Sequence, residues 1–189
     1  MGFHSCDREV GLKVLNGKDS LKPSNNSWDW LGDGIYFWEE NPARALEYAE
    51  ESSQRKQFNL VRVRTPFVLG AVIDLGNCLN LVEKESLQIL SAAYDGLEKT
   101  LKAYHSTMPE NKGDNRALDC AVIKYIHQSN ITEDEAGYDT VRCAFPEGGE
   151  AFTGSAITAR LHIQIAVRNP ECIKGIFLPH PIHKFNPNL

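Results

Sequence analysis

At 189 residues, with 42% apolar and 24% charged side chains, the chain has the composition of one compact domain, able to bury about 70% of the surface its unfolded form exposes. A formal net charge of −5 and a pI of 5.7 exclude the electrostatic footprint of broad, non-specific nucleic-acid binding, leaving only a local basic groove open to it. Five scattered cysteines and six histidines without metal-ligand spacing read as reduced thiols and no zinc centre; no basic-then-apolar leader and no apolar run of ~18 residues is present, so the expectation is a cytoplasmic protein that makes no membrane contact.

In chain order, residues 2–6 read as a short strand with His4 at its centre. Asp7 is an N-cap for a helix whose apolar face is Val10, Val14 and Leu15 and which ends at Asn16-Gly17. Residues 18–31 are polar and turn-rich but close on Trp28-Asp29-Trp30-Leu31. Indoles need apolar surface to cover, so this segment is expected to fold over something. Gly32-Asp33-Gly34 then permits a tight backbone ahead of the strand-forming Ile35-Tyr36-Phe37-Trp38, and Asn41-Pro42 opens an amphipathic helix through Ala49 that fades in a charged end. Such a junction sets an aromatic ring beside a glycine-lined gap, either as a wall for a flat ligand or as a core tyrosine in an ordinary strand-to-helix connection.

Residues 58–64 alternate as a strand, and 67–75 are apolar enough for a core strand, with Pro66 and Gly70 marking a bend or edge. Leu87, Leu90, Tyr94, Leu97 and Leu101 recur at helical spacing over 83–104, with an interruption at Gly96. A polar loop (106–115), a second helix (116–128) and an acidic connection follow. The C-terminal third reads as a strand (138–145), a glycine-rich loop (146–150), strands over 161–167 and 173–178, and an extended tail (179–189). His162, Gln164 and Ala166 share one strand face, which is either exposed or lines a cleft.

A first strand bearing a histidine, a Gly-x-Gly-Ile-Tyr-Phe unit followed by a helix, and a late strand with a polar residue together resemble the ADP-ribosyltransferase superfamily of diphtheria-toxin and poly(ADP-ribose)-polymerase type. Gly32-Asp33-Gly34-Ile35-Tyr36-Phe37-Trp38 and Ala45-Leu46-Glu47-Tyr48 are similar to the family's Gly-Lys-Gly-Ile-Tyr-Phe-Ala and Ser-Ala-Asn-Tyr, with one residue inserted between them. Phe3-His4-Ser5 resembles its first-strand His-Gly, and Gln164-Ile165-Ala166-Val167 its catalytic-glutamate strand.

The resemblance implies a single α+β domain over 1–189: an ADP-ribosyltransferase-like split pair of small packed sheets around a central NAD cleft, with flanking helices. NAD is the substrate. His4 would hydrogen-bond the nicotinamide ribose, Tyr36 and Tyr48 would sandwich the nicotinamide, and the Ser5 backbone would hold its carboxamide. Gly34 and Ala45 complete the cofactor-binding set. Arg116, Arg142 and Arg160 are candidates for the pyrophosphate, and His162 for orienting an acceptor or acting as a base.

The sequence departs from the family in carrying Gln164 for glutamate, Ala45 for serine and Ser5 for glycine. The catalytic role then falls to Gln164 itself or to Glu150 or Glu147 reaching in from the preceding loop. The function implied is transfer of ADP-ribose to a macromolecular acceptor, protein or nucleic acid, as a bacterial toxin or defence effector with an antitoxin or immunity partner. An NAD glycohydrolase and a catalytically silent NAD, ADP-ribose or nucleic-acid binding module are the alternatives.

Overall fold

The computed structural model describes residues 1–54, 63–134 and 136–189. The order of elements is β1 (Gly2–Asp7), α1 (Arg8–Leu15), β2 (Ile35–Glu39), α2 (Pro42–Gln54), β3 (Pro66–Ile73), β4 (Cys78–Asn80) and α3 (Lys84–Ala103). A two-stranded hairpin, β5 (Asn111–Lys112) with β6 (Asn115–Arg116), leads into α4 (Ala117–Thr132), followed by β7 (Thr140–Glu150), β8 (Thr158–Val167), β9 (Ile173–Phe177) and α5 (Ile182–Phe185).

Seven strands form one curled sheet in the order β4-β7-β8-β2-β1-β3-β9, antiparallel except between β4 and β7. The fold class is therefore α+β. The expected pair of small packed sheets is replaced by this single sheet, yet the join at its centre is slight. β1 pairs with β3 over six residues, and β2 with β8 over four. Between β1 and β2 only Gly2↔Glu39 and Phe3↔Trp38 are paired.

Alternation along the strands divides the core. Ile35, Phe37, Cys6, Phe67, Leu69, Ile165 and Val167 pack on one face beneath Val10, Val14 and Leu15 of α1. The other face carries two clusters: Phe3, Trp38 and Val68 under Ala45 of α2, and Leu79, Val141 and Ala166 under Ile123 and Ile126 of α4. α1 begins as its sequence requires, with the Asp7 carboxylate accepting from Glu9 N at 2.9 Å.

Several expectations are corrected. The stretch 146–150 continues β7 instead of forming a loop, with a register irregularity between Glu147 and Glu150. Gly70 marks neither bend nor edge: β3 is interior, and a Cβ at position 70 would lie 2.3 Å from the Phe177 ring, so glycine is there to let that ring approach. α3 runs unbroken through Gly96, against which Tyr125 packs. The 106–115 loop contains the β5–β6 hairpin. The tail is not wholly extended, because α5 docks Phe185 and Asn186, and the Asn186 side chain both donates to Val68 O (3.0 Å) and accepts from Val68 N (2.7 Å). Of the strand expected over 58–64, residues 58–62 lie outside the described residues, and Val63 and Arg64 are not in a strand.

Candidate functional site

The sheet order makes neighbours of the three strands that carry His4, Tyr36 and Gln164, namely β1, β2 and β8. Register then decides which side chains share a face. Trp38 is paired with Gln164, and Tyr36 with Ala166; Cys143 flanks Gln164 from β7. Directly opposed residues in antiparallel strands project to the same side, so Tyr36, Trp38, Cys143, His162 and Gln164 all belong to the face over which α2 and α4 pack.

Gln164 is half-buried, and its Nε2 lies 3.0 Å from Nε2 of the buried His162. His162 Nδ1 in turn lies 2.8 Å from the Arg160 carbonyl and 3.6 Å from the Glu147 carboxylate. The buried Arg44 guanidinium at the start of α2 donates to Glu147 at 2.9 Å and stands 3.4 Å from Glu47 and 3.8 Å from Glu51. Arg160 completes the network against Glu47 (2.7 Å) and Glu51 (3.0 Å). A cavity of about 340 Å³ opens beside these charges, lined in part by Asn41, Arg44, Glu47, Arg160 and Leu161.

Of the two loop carboxylates considered as replacements for a catalytic glutamate, Glu147 lies next to His162, engaged by Arg44. Glu150 is not brought to the site. It pairs with Thr158, six residues along β8 from Gln164 and so about 20 Å away, and its carboxylate accepts from Gly154 N at 2.8 Å within its own turn.

His4 donates from Nδ1 to the Tyr36 carbonyl at 2.8 Å, because a carbonyl can only accept. Burial holds its pKa below the ordinary value, partly offset by that bond, so the ring is neutral near pH 7 and Nε2 keeps its lone pair. The Tyr36 hydroxyl is committed to the preceding turn: it donates to Gly32 O at 2.6 Å and accepts from Leu31 N at 2.8 Å, and burial pushes its pKa well up. Tyr36 thus fixes the glycine loop ahead of its own strand. Gly34 is bridged to Ser24 by two backbone hydrogen bonds of 2.8 and 3.0 Å, and a Cβ there would stand 3.0 Å from Val167 O.

Tyr48 lies at the surface, 36% exposed, with its ring 5.0 Å from that of Trp38 at a tilt of 45°. Ala45 is fully buried, in one cluster with Phe3, Trp38 and Val68. Ser5 is half-buried on β1 opposite Val68. The three arginines considered for pyrophosphate are engaged within the protein. Arg142 grips Glu39 (2.7 Å) and Asn80 (3.0 Å), Arg160 holds α2, and Arg116 lies 4.9 Å over the Trp30 ring.

The two indoles of the 18–31 segment part company. Trp30 covers Phe145 with ring centroids 4.6 Å apart and donates to Asp114 O, while Trp28 is 43% exposed. Trp38 and Arg44 escaped the sequence reading. Two-residue alternation from Tyr36 already puts Trp38 on the site face; nothing local in the sequence marks Arg44, whose partner Glu147 is 103 residues away.

Among the described residues no helix is long and apolar enough to cross a membrane. No family model and no solved structure matches the chain. The chain is 26% identical, over 92% of its own length and 84% of the relative's, to the uncharacterized protein MJ0359 of the archaeon Methanocaldococcus jannaschii.

Proposed function

We propose that the protein binds NAD in the cleft where β1 and β2 part and transfers its ADP-ribose to a macromolecular acceptor. The observation that carries this reading is the adjacency of the strands bearing His4, Tyr36 and Gln164 at the point where β1–β2 pairing ends. Tyr36 and Gln164 share the face under α2 and α4, while His4, opposite Leu69, projects to the α1 face. The available groups suit a dinucleotide. Nicotinamide in NAD is a flat cation, for which the exposed Tyr48 ring backed by Trp38 supplies an aromatic face worth about 0.5–2 kcal/mol. His4, opposite Leu69 and 5.5 Å from the Phe37 ring on the α1 face, contributes by tying β1 to the Tyr36 carbonyl of β2. Tyr36 acts by shaping the wall, its hydroxyl being spent on the glycine loop.

The chemistry is cleavage of the nicotinamide–ribose bond through an oxocarbenium-like state, with an acceptor nucleophile attacking the anomeric carbon. Gln164 accepts a ribose hydroxyl but carries no charge to set against the developing cation. The negative field at the site comes instead from Glu147 beside His162, tempered by Arg44. The cavity beside Arg44 and Arg160 gives the acceptor room next to the reacting centre.

A second reading, NAD or ADP-ribose binding without turnover, is favoured by one observation: the amide at position 164 is already hydrogen-bonded to a histidine. Incubation of the purified chain with NAD and candidate acceptors separates the outcomes. Free nicotinamide with labelled acceptor supports transfer, and nicotinamide with free ADP-ribose supports hydrolysis. Intact NAD with measurable affinity supports the binding module, and neither binding nor consumption refutes the proposal.

A further inference from the structure

From the hydrogen-bond chain Arg160 O, His162, Gln164 we infer that His162 is a positioning residue, locking the Gln164 amide so that its carbonyl oxygen is presented to the cleft as a fixed acceptor for a ligand hydroxyl. The argument runs along the chain of atoms. The Arg160 carbonyl accepts at 2.8 Å, so His162 Nδ1 bears a proton. His162 Nε2 and Gln164 Nε2 lie 3.0 Å apart; the amide nitrogen can only donate, so the imidazole nitrogen facing it carries a lone pair and the ring is the neutral Nδ1–H tautomer. With its NH₂ held inward, the other end of the Gln164 amide, Oε1, turns away from His162 and accepts from no protein donor among the described residues.

The charged groups around the ring keep it where it is. Glu147 stands 3.6 Å from Nδ1, Arg44 balances Glu147 at 2.9 Å, and Arg160 is drawn off to Glu47 and Glu51. Phe145 closes the ring's flank at 5.9 Å. A glutamate at position 164 would set a carboxylate against a lone pair, and the site would then need a second proton on His162. Glutamine is the residue that suits a neutral histidine, and the pair reads out a ligand that donates, a sugar hydroxyl, in preference to one that accepts.

This inference rests on the NAD reading for its ligand but not for its test, which begins without ligand. In the full chain labelled with ¹⁵N at histidine and glutamine, the His162 ring should show one protonated nitrogen, Nδ1, and one unprotonated nitrogen, Nε2, near pH 7. The Gln164 side-chain NH₂ should show slowed exchange that is lost in His162→Leu and recovered in His162→Gln, whose own carbonyl oxygen reaches the place of Nε2. A ring protonated at Nε2, or an amide unmoved by His162→Leu, overturns the inference whatever NAD does.

If NAD binds the native chain, His162→Leu should weaken it about tenfold, the worth of one well-oriented hydrogen bond, and His162→Gln should restore most of that loss. Equal NAD affinity in the native chain and both variants, with the spectra as expected, would retain the lock and remove its role in binding. Failure of the native chain to bind NAD would sink the function and leave the lock judged by the spectra alone.

Discussion

Acidification from pH 7 to pH 5 should destabilise the protein through its buried neutral histidines. The share of His127 on α4 can be isolated, because His4, whose pKa burial also lowers, contributes alike in the native chain and a His127 variant. The His127 ring is 6% exposed and, among the described residues, neither nitrogen has a hydrogen-bond partner; Tyr138 meets it edge-on at 6.1 Å. Burial, aided by the positive charge of Arg168 and opposed by Asp33, lowers its pKa from 6.5 to about 4. Between these values the unfolded chain binds a proton that the folded chain refuses, so stability falls as the pH drops below 6.5 and levels off below about 4. At pH 5 the deficit spans about 1.5 pH units at about 1.36 kcal/mol each, or about 2 kcal/mol.

The assay is urea unfolding of the native chain and His127→Leu at pH 7 and pH 5, since leucine fills the site without a titrating group. The baseline stability of the variant cancels, because only the change with pH is compared. The native chain should lose about 2 kcal/mol more than the variant over this interval. Asp7, held below its ordinary pKa mainly by hydrogen bonds from Thr65, Glu9 and Arg64 against opposing desolvation, contributes only at lower pH and does not confound the window. Equal losses in the two proteins would refute the claim that His127 is held neutral.

Three further outcomes follow from the packing and the hydrogen bonds. Gly70→Ala drives a Cβ to within 2.3 Å of the Phe177 ring, and overpacking of this kind costs about 1–3 kcal/mol, seen as a lower urea midpoint with unchanged slope. Tyr36→Phe keeps the ring but orphans Leu31 N and Gly32 O, costing about 1–3 kcal/mol, with faster amide exchange at Leu31 as its local signature. Asn186→Ala leaves Val68 N and O without partners on an interior strand, and should destabilise by about 2–4 kcal/mol while freeing α5 to limited proteolysis.

Where the sequence carries local chemistry, it was readable. The Asp7 cap, the end of α1 at Asn16-Gly17 and the Pro42 start of α2 all rest on near neighbours in the chain. What escaped was long-range. That the expected two sheets are one depends on two residue pairs between strands more than 30 residues apart. The run from Pro146 to Glu150 has loop composition but is carried into β7 by pairing with β8. At the site, the strand face of His162 and Gln164 was legible from alternation, whereas the Arg44–Glu147 pair, the commitment of the Tyr36 hydroxyl and the remoteness of Glu150 needed register and tertiary contact.

The most direct measurement of the central claim is calorimetric titration of NAD into the native chain and into Tyr48→Ala. Saturable binding is expected in the native chain, weakened in the variant by about 2- to 30-fold, as the loss of one exposed aromatic face against a cationic ring requires. No heat of binding in the native protein, or equal affinity in both, would contradict the account.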